Sequence, residues 1–398
     1  MIRLSERIGA LPGYPLADIP VIKRRLIDAG VDVIDLGAGD NDTPPPAPVV
    51  ARMNEALADP AMSKYGFQQG LPEFRRSAAQ YVERRFGHRF DPGTELLPLI
   101  GSKEGLAHLP LAVVNPGDSV VIPEPGYQAY IGGAILSGGS PYVFPLSADQ
   151  GFLLELDRVP PSLLDRTRLV YVNYPNNPTA AIAPMEYLER LVAICRKRGI
   201  VLAYDNAYCD LTFDDYRAPS IFDVTGAREV ALEFFSLSKS FSMTGWRIGF
   251  VVGNRELVSA LTKIKSYADT GPFLAVQKAG ALALERAEEF AAPVRRELER
   301  RRDAGVAALR AEGFQAELPK AAMYLWVPLP SGISSAAFAR HALEGYGVVT
   351  LAGSAFGPAG EGYFRIALTV GPERLTAAAA RLGLAARTFD SRVVAATA

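Results

Sequence analysis

The sequence is poor in the residues that hold metals or build disulfide frameworks. Cysteine occurs 2 times, as Cys195 and Cys209, and histidine 3 times, as His88, His108 and His341. Two cysteines without metal-ligand spacing make no framework and fit a reducing compartment. The histidines show no HxxxH pairing, so no metal site is expected and each is read as structural or exposed. An excess of one charge is missing too. Lys+Arg number 42 and Asp+Glu 43, for a net charge of −1, which gives no electrostatic reason to expect nucleic acid or an anionic membrane as partner. No apolar run approaches the length of a bilayer span. Met1-Ile2-Arg3-Leu4-Ser5-Glu6-Arg7 lacks the apolar core of a signal peptide, so cytoplasm is the expected location. There is no internal repeat and no low-complexity segment.

What is present is an ordinary globular composition, 49% hydrophobic and 21% charged, over 398 residues. That length exceeds one small core, and two domains are expected. An amphipathic helix is expected over 18–29 and a strand over Val31–Leu36, ending in Gly37-Ala38-Gly39-Asp40. Helices follow over 47–58 and 72–86, the second stopped by Gly87. Then an alternation begins. Apolar strands are expected at 95–100, 119–122, 142–146, 169–172 and 200–204, with helices opening at Gly101-Ser102-Lys103-Glu104-Gly105, after Tyr127, and over 185–198 before Gly199. Strands apolar throughout and alternating with helices indicate a mostly parallel sheet covered on both faces, an α/β fold. Beyond Lys265 the texture changes. A long, charged, alanine-rich helix over 285–311 reads as a domain connector. A smaller α/β unit follows, with strands at 324–327, 348–350 and 363–368, helices over 335–344 and 373–382, and a loose tail after Ala385.

The chemistry collects at the carboxyl ends of these strands, where open α/β sheets place their sites. Ser236-Leu237-Ser238-Lys239 lies between two buried strand-like runs, 230–237 and 248–252, with Arg247 eight residues beyond the lysine. Hydroxyls with an arginine suit a phosphate, and a lysine in that company can carry an aldehyde as a Schiff base. Alone, the stretch has a second, lesser reading as a hairpin with a solvated lysine. An aldehyde and a phosphate on one small molecule describe pyridoxal 5'-phosphate. Such a cofactor needs an acid to keep its pyridine nitrogen protonated, and Asp205, ending a buried strand, is the candidate. Tyr208 and Asn177 could reach the ring oxygen. The helix start at Ser102 and Lys103 favours a dianion. Tyr127 could stack on the ring. Arg365, flanked by apolar residues in Phe364-Arg365-Ile366, could fork onto a substrate carboxylate. Several of these are ordinary turns, caps or packing residues when read singly; their order and joint position carry the reading.

Asn176-Asn177-Pro178-Thr179, Asp205-x-x-Tyr208, Ser236-x-Ser238-Lys239, Arg247 and Arg365 together resemble the signature of class I/II pyridoxal phosphate-dependent aminotransferases, over about residues 10–385. The resemblance implies the type I fold. A large domain (45–284) would hold a mostly parallel, seven-stranded-type sheet, and a smaller α/β domain would form from both termini (1–44 and 285–398). It implies Lys239 as the catalytic lysine, Asp205 as pyridine partner, and Tyr208 and Asn177 at the ring oxygen. Ser236, Ser238 and Arg247 would hold the phosphate and Arg365 the α-carboxylate. Gly39 matches a glycine near the substrate. Tyr65, in Tyr65-Gly66-x-x-x-Gly70, resembles a tyrosine that reaches the neighbouring subunit's phosphate, implying a homodimer with shared sites.

Leu11-Pro12-Gly13-Tyr14-Pro15-Leu16, Gly101-Ser102-Lys103-Glu104-Gly105 and Ser242-Met243-Thr244-Gly245-Trp246-Arg247 are similar to LL-diaminopimelate aminotransferases, a clade of lysine biosynthesis, and place Tyr14 near the substrate. Departures fall at Gly13, Leu16, Ala38 and Ala180. The expected activity is transfer of an amino group from LL-diaminopimelate to a 2-oxo acid such as 2-oxoglutarate. Aspartate, alanine or aromatic donors, or a carbon–sulfur lyase on the same fold, are the alternatives. A transcription regulator that senses the cofactor would need a DNA-binding domain ahead of a fold that here begins within the first thirty residues.

Overall fold

The computed structural model describes residues 2–13, 19–67 and 69–389. Its strands are β1 (Ile34–Asp35), β2 (Leu96–Leu99), β3 (Ser119–Glu124), β4 (Ser140–Pro145), β5 (Thr167–Asn173), β6 (Val201–Asp205), β7 (Ala231–Ser236), β8 (Gly249–Gly253), β9 (Tyr324–Pro328), β10 (Val348–Val349), β11 (Leu351–Ala352) and β12 (Tyr363–Ala367). Seven of them form one sheet in the order β2-β8-β7-β6-β5-β3-β4. All run parallel except β8, which is antiparallel to both neighbours.

Period-two alternation sends successive apolar side chains to opposite faces, and each face has its own core. Val121, Val170, Leu202, Tyr204, Phe235 and Phe250 face helices Pro72–Phe86, Met185–Arg198 and Leu274–Glu285. Val120, Leu169, Tyr171, Ala203, Leu232 and Phe234 face helices Ser102–Val113, Gln128–Leu136 and Arg255–Ala268. Phe250 stacks on Phe235 at 4.9 Å between centroids, and truncating it to alanine would cost about 3–5 kcal/mol. Gly87 and Gly199 end their helices in the left-handed region, at φ 83° and 64°, where a Cβ would be strained.

A separate core joins both ends of the chain. Ile34 and Leu36 pack with Leu298, Val306, Phe338, Phe364, Ile366 and Leu382. Its strands form a parallel pair, β1-β10, and an antiparallel sheet, β11-β12-β9. Arg365 therefore sits on a central strand, not on a half-exposed edge.

Three local expectations change. The strand expected from Val31 shrinks to two paired residues, because Val31 is exposed and only Ile34 and Asp35 find β10. The connector helix is found over Ala287–Ala311, set off from helix Leu274–Glu285 where Arg286 leaves helical geometry at φ −111° and ψ 33°. The last helix runs to Thr388, since Leu382 and Ala385 still bury against the second core, so the chain just after Ala385 is not loose. Between β7 and β8, the expected polar turn contains a helix, Leu237–Ser240, and a 3₁₀ turn, Thr244–Trp246.

Candidate active site

β5, β6 and β7 end in Asn173, Asp205 and Ser236, and β2 leads into Gly101-Ser102, all on the carboxyl edge of the large sheet. This edge floors a cavity of about 560 Å³ whose far wall, Gly37–Asp40 with Leu351, Phe356 and Arg365, belongs to the other core. Of the described residues assigned to the site from sequence, Tyr65 alone is absent from its lining: it is 73% exposed and lies elsewhere on the surface. Tyr14 falls outside the described residues.

Lys239 reaches across the cavity. Its Nζ donates to the Gly39 carbonyl at 2.5 Å and lies 3.8 Å from Asp40 Oδ1. The hairpin pairing of β7 with β8 is real, but the lysine is part-buried at the cavity. Gly39 has no spare room, because a Cβ there would meet the Tyr324 hydroxyl at 2.6 Å.

Asp205 lies at the cavity floor. Its Oδ2 accepts from the Tyr130 hydroxyl at 2.8 Å, whereas its buried Oδ1 has no partner. Burial pushes its carboxyl up to about 6; the Tyr130 hydroxyl and the Ala207 amide pull the other way. Tyr130 is itself fixed by stacking on Tyr171 at 4.6 Å. Asn173 Nδ2 donates to the Asp205 carbonyl at 2.7 Å, and Asn173 Oδ1 accepts from the Asn177 amide at 2.7 Å, so one side chain ties two strand ends together.

At one end of the cavity Ser102, Ser236, Ser238 and Arg247 converge. Gly101 caps helix Ser102–Val113 without a side chain, leaving the first-turn amides uncapped from that position. It adopts φ 71°, and the Arg247 guanidinium fills the space a Cβ would need. Arg247 is itself left-handed, at φ 54°, with Nη1 donating to the Thr244 carbonyl at 2.9 Å. Lys103 Nζ lies 5.7 Å from the Tyr127 ring centroid.

At the opposite wall Arg365 Nη1 donates to Asn177 Oδ1 at 2.8 Å and Nη2 to the Gly37 carbonyl at 2.6 Å. Its Nε is buried without a partner. The guanidinium lies over the Tyr324 ring at 4.2 Å and the Phe356 ring at 4.9 Å. Burial lowers its pKa, opposed by Tyr324 and Tyr208. The Tyr208 and Tyr324 hydroxyls are 3.0 Å apart.

The family model described as aminotransferase class I and II matches residues 31–382. The chain belongs to that family. It is an aminotransferase. Its sequence is 44% identical over 382 residues to the LL-diaminopimelate aminotransferase of Aquifex aeolicus, covering 96% of this chain and 99% of the relative. Its fold matches substrate-bound BacF from Bacillus subtilis with a TM-score of 0.93 at 30% identity, over 96% of this chain and 98% of the other. A single mutant of Thermus thermophilus aspartate aminotransferase matches with a TM-score of 0.90 at 30% identity, over 97% of this chain and 100% of that one.

In this aminotransferase the cavity also holds residues that sequence reading missed. Tyr324 reads as core in an apolar strand, yet its hydroxyl faces Gly39 and Tyr208. Tyr130, behind the lining and one helical turn after Tyr127, carries the one side-chain bond to the Asp205 carboxylate among the described residues; the Tyr-x-x-Tyr spacing was the available signal. Asn173 and Phe356 gave none.

Proposed function

We propose that this aminotransferase binds pyridoxal 5'-phosphate, takes its amino group from LL-diaminopimelate and passes it to 2-oxoglutarate, as a homodimer with shared sites. The observation that carries the cofactor reading is Asp205 Oδ1. An unpartnered carboxylate oxygen in a buried site costs several kcal/mol, on the order expected for uncompensated buried charge, and a pyridinium N–H is the donor that would satisfy it. The opposite end supports a phosphate. A helix start without a side-chain cap, three serines and a guanidinium line the same cavity, and a side chain at Gly101 would displace the guanidinium.

When bound, the cofactor supplies an electron sink for a carbanion at the substrate Cα. Asp205 holds the proton on the ring nitrogen, and Tyr130 and Asn173 fix Asp205. Asn177 and Tyr208 serve the ring oxygen, and Tyr127 covers the ring. Ser102, Lys103, Ser236, Ser238 and Arg247 form the phosphate cup. Arg365 takes the α-carboxylate: two of its N–H groups are engaged and Nε is free. That anchor, with the Gly39 backbone beside the substrate, orients the Cα–H bond toward Lys239. Lys239 Nζ would take up the Cα proton and hold it for delivery to the cofactor's carbonyl carbon. Tyr65, exposed and outside its own cavity, serves the partner's phosphate. The two cores act as domains, 45–284 and 1–44 with 285–398, with the reaction between them.

LL-diaminopimelate as donor rests on the 44% identity to enzymes of that name over nearly the whole chain. A panel of amino donors against 2-oxoglutarate tests it. LL-diaminopimelate is expected to give the highest kcat/KM. Faster turnover of aspartate, alanine or an aromatic amino acid would overturn the donor while leaving transamination intact.

A further inference from the structure

Outside the cavity, Lys265 is fully buried at 0% exposure. It lies on helix Arg255–Ala268, which packs beside helix Ser102–Val113 in the core containing Leu106, Leu109 and Leu261. Its Nζ donates to Glu104 Oε2 at 2.7 Å and to both Asp269 oxygens at 2.9 and 3.1 Å. Glu104 Oε1 meets His108 Nδ1 at 2.7 Å. Glu104, His108 and Asp269 lie close enough to hold a metal ion, but the Lys265 ammonium already supplies a cation there.

A buried ion pair contributes little net stability against an apolar replacement, so its retention calls for another reason. Glu104 supplies one. It is the third residue of its helix, and its Oε2 reaches back to accept from the Ile100 amide at 3.2 Å, in the manner of a capping box. The turn it grips, 100–103, is confined on two other sides. The Arg247 guanidinium occupies the place of a Gly101 side chain, and a Cβ on Gly249 would stand 2.9 Å from the Ser102 amide nitrogen. A small shift of this turn moves the Ser102 and Lys103 amides relative to Arg247.

We propose that the Lys265–Glu104 pair is a positioning device that fixes the turn at 100–103 in register with Arg247 for a phosphate group. The proposal rests on reading that end of the cavity as the phosphate cup. Neither residue touches the ligand, so both are positioning residues.

Glu104→Gln and Lys265→Met are compared with the wild type by titrating cofactor-free protein with pyridoxal phosphate and with unphosphorylated pyridoxal, following visible absorbance. Expected is a loss of at least about tenfold in affinity for pyridoxal phosphate, with pyridoxal binding held within about twofold. Equal losses for both ligands would reduce the pair to general structural support, and no loss for either would remove its role; both overturn the proposal. Should Lys265→Met fail to fold, Glu104→Gln, which keeps the side chain's shape, decides alone. A wild type that binds both ligands equally would instead overturn the phosphate cup itself.

Discussion

At Asp205 two demands oppose each other: a buried strand end disfavours charge, while the proposed ring contact requires it. The carboxyl, held up to about 6 by burial, exceeds its ordinary 3.8. The cofactor-free fold is therefore most favoured by this group below pH 3.8 and loses that contribution as pH rises through 6, on the order of 3 kcal/mol. Asp205→Asn should flatten that slope in the cofactor-free protein while cutting kcat at least about 100-fold; urea melts at pH 4 and 7 and steady-state rates check both. Lys239→Ala should abolish the absorbance band that marks attachment of pyridoxal phosphate to the lysine and reduce turnover by at least about 100-fold. A retained band would refute the lysine's assignment. At this scale the sequence was most legible where a residue breaks its surroundings. Asp205 closing an apolar strand and Arg365 inside one both stood out, whereas Tyr324 and Tyr130 did not, because a tyrosine in an apolar element looks like packing.

At the scale of elements, the turn from β2 into helix Ser102–Val113 depends on a residue without a side chain. Gly101→Ala would meet Arg247 and force a left-handed backbone at φ 71°, costing about 1–2 kcal/mol. Displacing the guanidinium should weaken pyridoxal phosphate binding about tenfold or more, measurable by the same absorbance titration. Strand β7 holds a second strained group, Glu233, fully buried and bonded to Ser220 Oγ at 2.5 Å and Asn206 Nδ2 at 2.7 Å. Burial raises its carboxyl from an ordinary 4.5 to about 8, against the pull of Ser220 and Asn206. The folded chain thus keeps a proton that the unfolded chain releases above pH 4.5. The stability this group gives is full below pH 4.5 and is lost as pH rises through 8, by several kcal/mol in order of magnitude. Glu233→Gln should remove that loss in denaturant melts at pH 5 and 8.5; an unchanged slope would place the titrating group elsewhere. Helices and strands with strong punctuation, such as 72–86 before Gly87 and 185–198 before Gly199, were readable to within a residue or so. The helix Leu274–Glu285 was not, since its largely apolar, alanine-rich run lacks the polar face that marks a surface helix.

For the whole molecule, alternating apolar strands gave away the α/β class and the carboxyl-edge location of the site. The reversal of β8 against β7 was open to reading as a hairpin, but the strand order was not, because pairing partners far apart in sequence leave no local pattern. Nor did local pattern reveal the joining of β1 to β10, which brings Gly37–Asp40 opposite Lys239. If Tyr65 completes the partner's site, Tyr65→Phe should weaken pyridoxal phosphate binding about tenfold, the scale of one hydrogen bond to a charged group. Mixed with Lys239→Ala subunits at limiting cofactor, it should regain activity above either variant alone, because each hybrid dimer restores one complete site. No recovery on mixing would confine the site to a single chain.

The most direct test of transamination is a single half-reaction. Enzyme loaded with pyridoxal phosphate is mixed with LL-diaminopimelate and no oxo acid, and the cofactor and products are recovered after denaturation. Expected is one equivalent of pyridoxamine phosphate and one of the corresponding oxo acid per site, without ammonia. Cofactor recovered as the aldehyde, with ammonia released alongside the oxo acid, would contradict an amino-group transfer at Lys239.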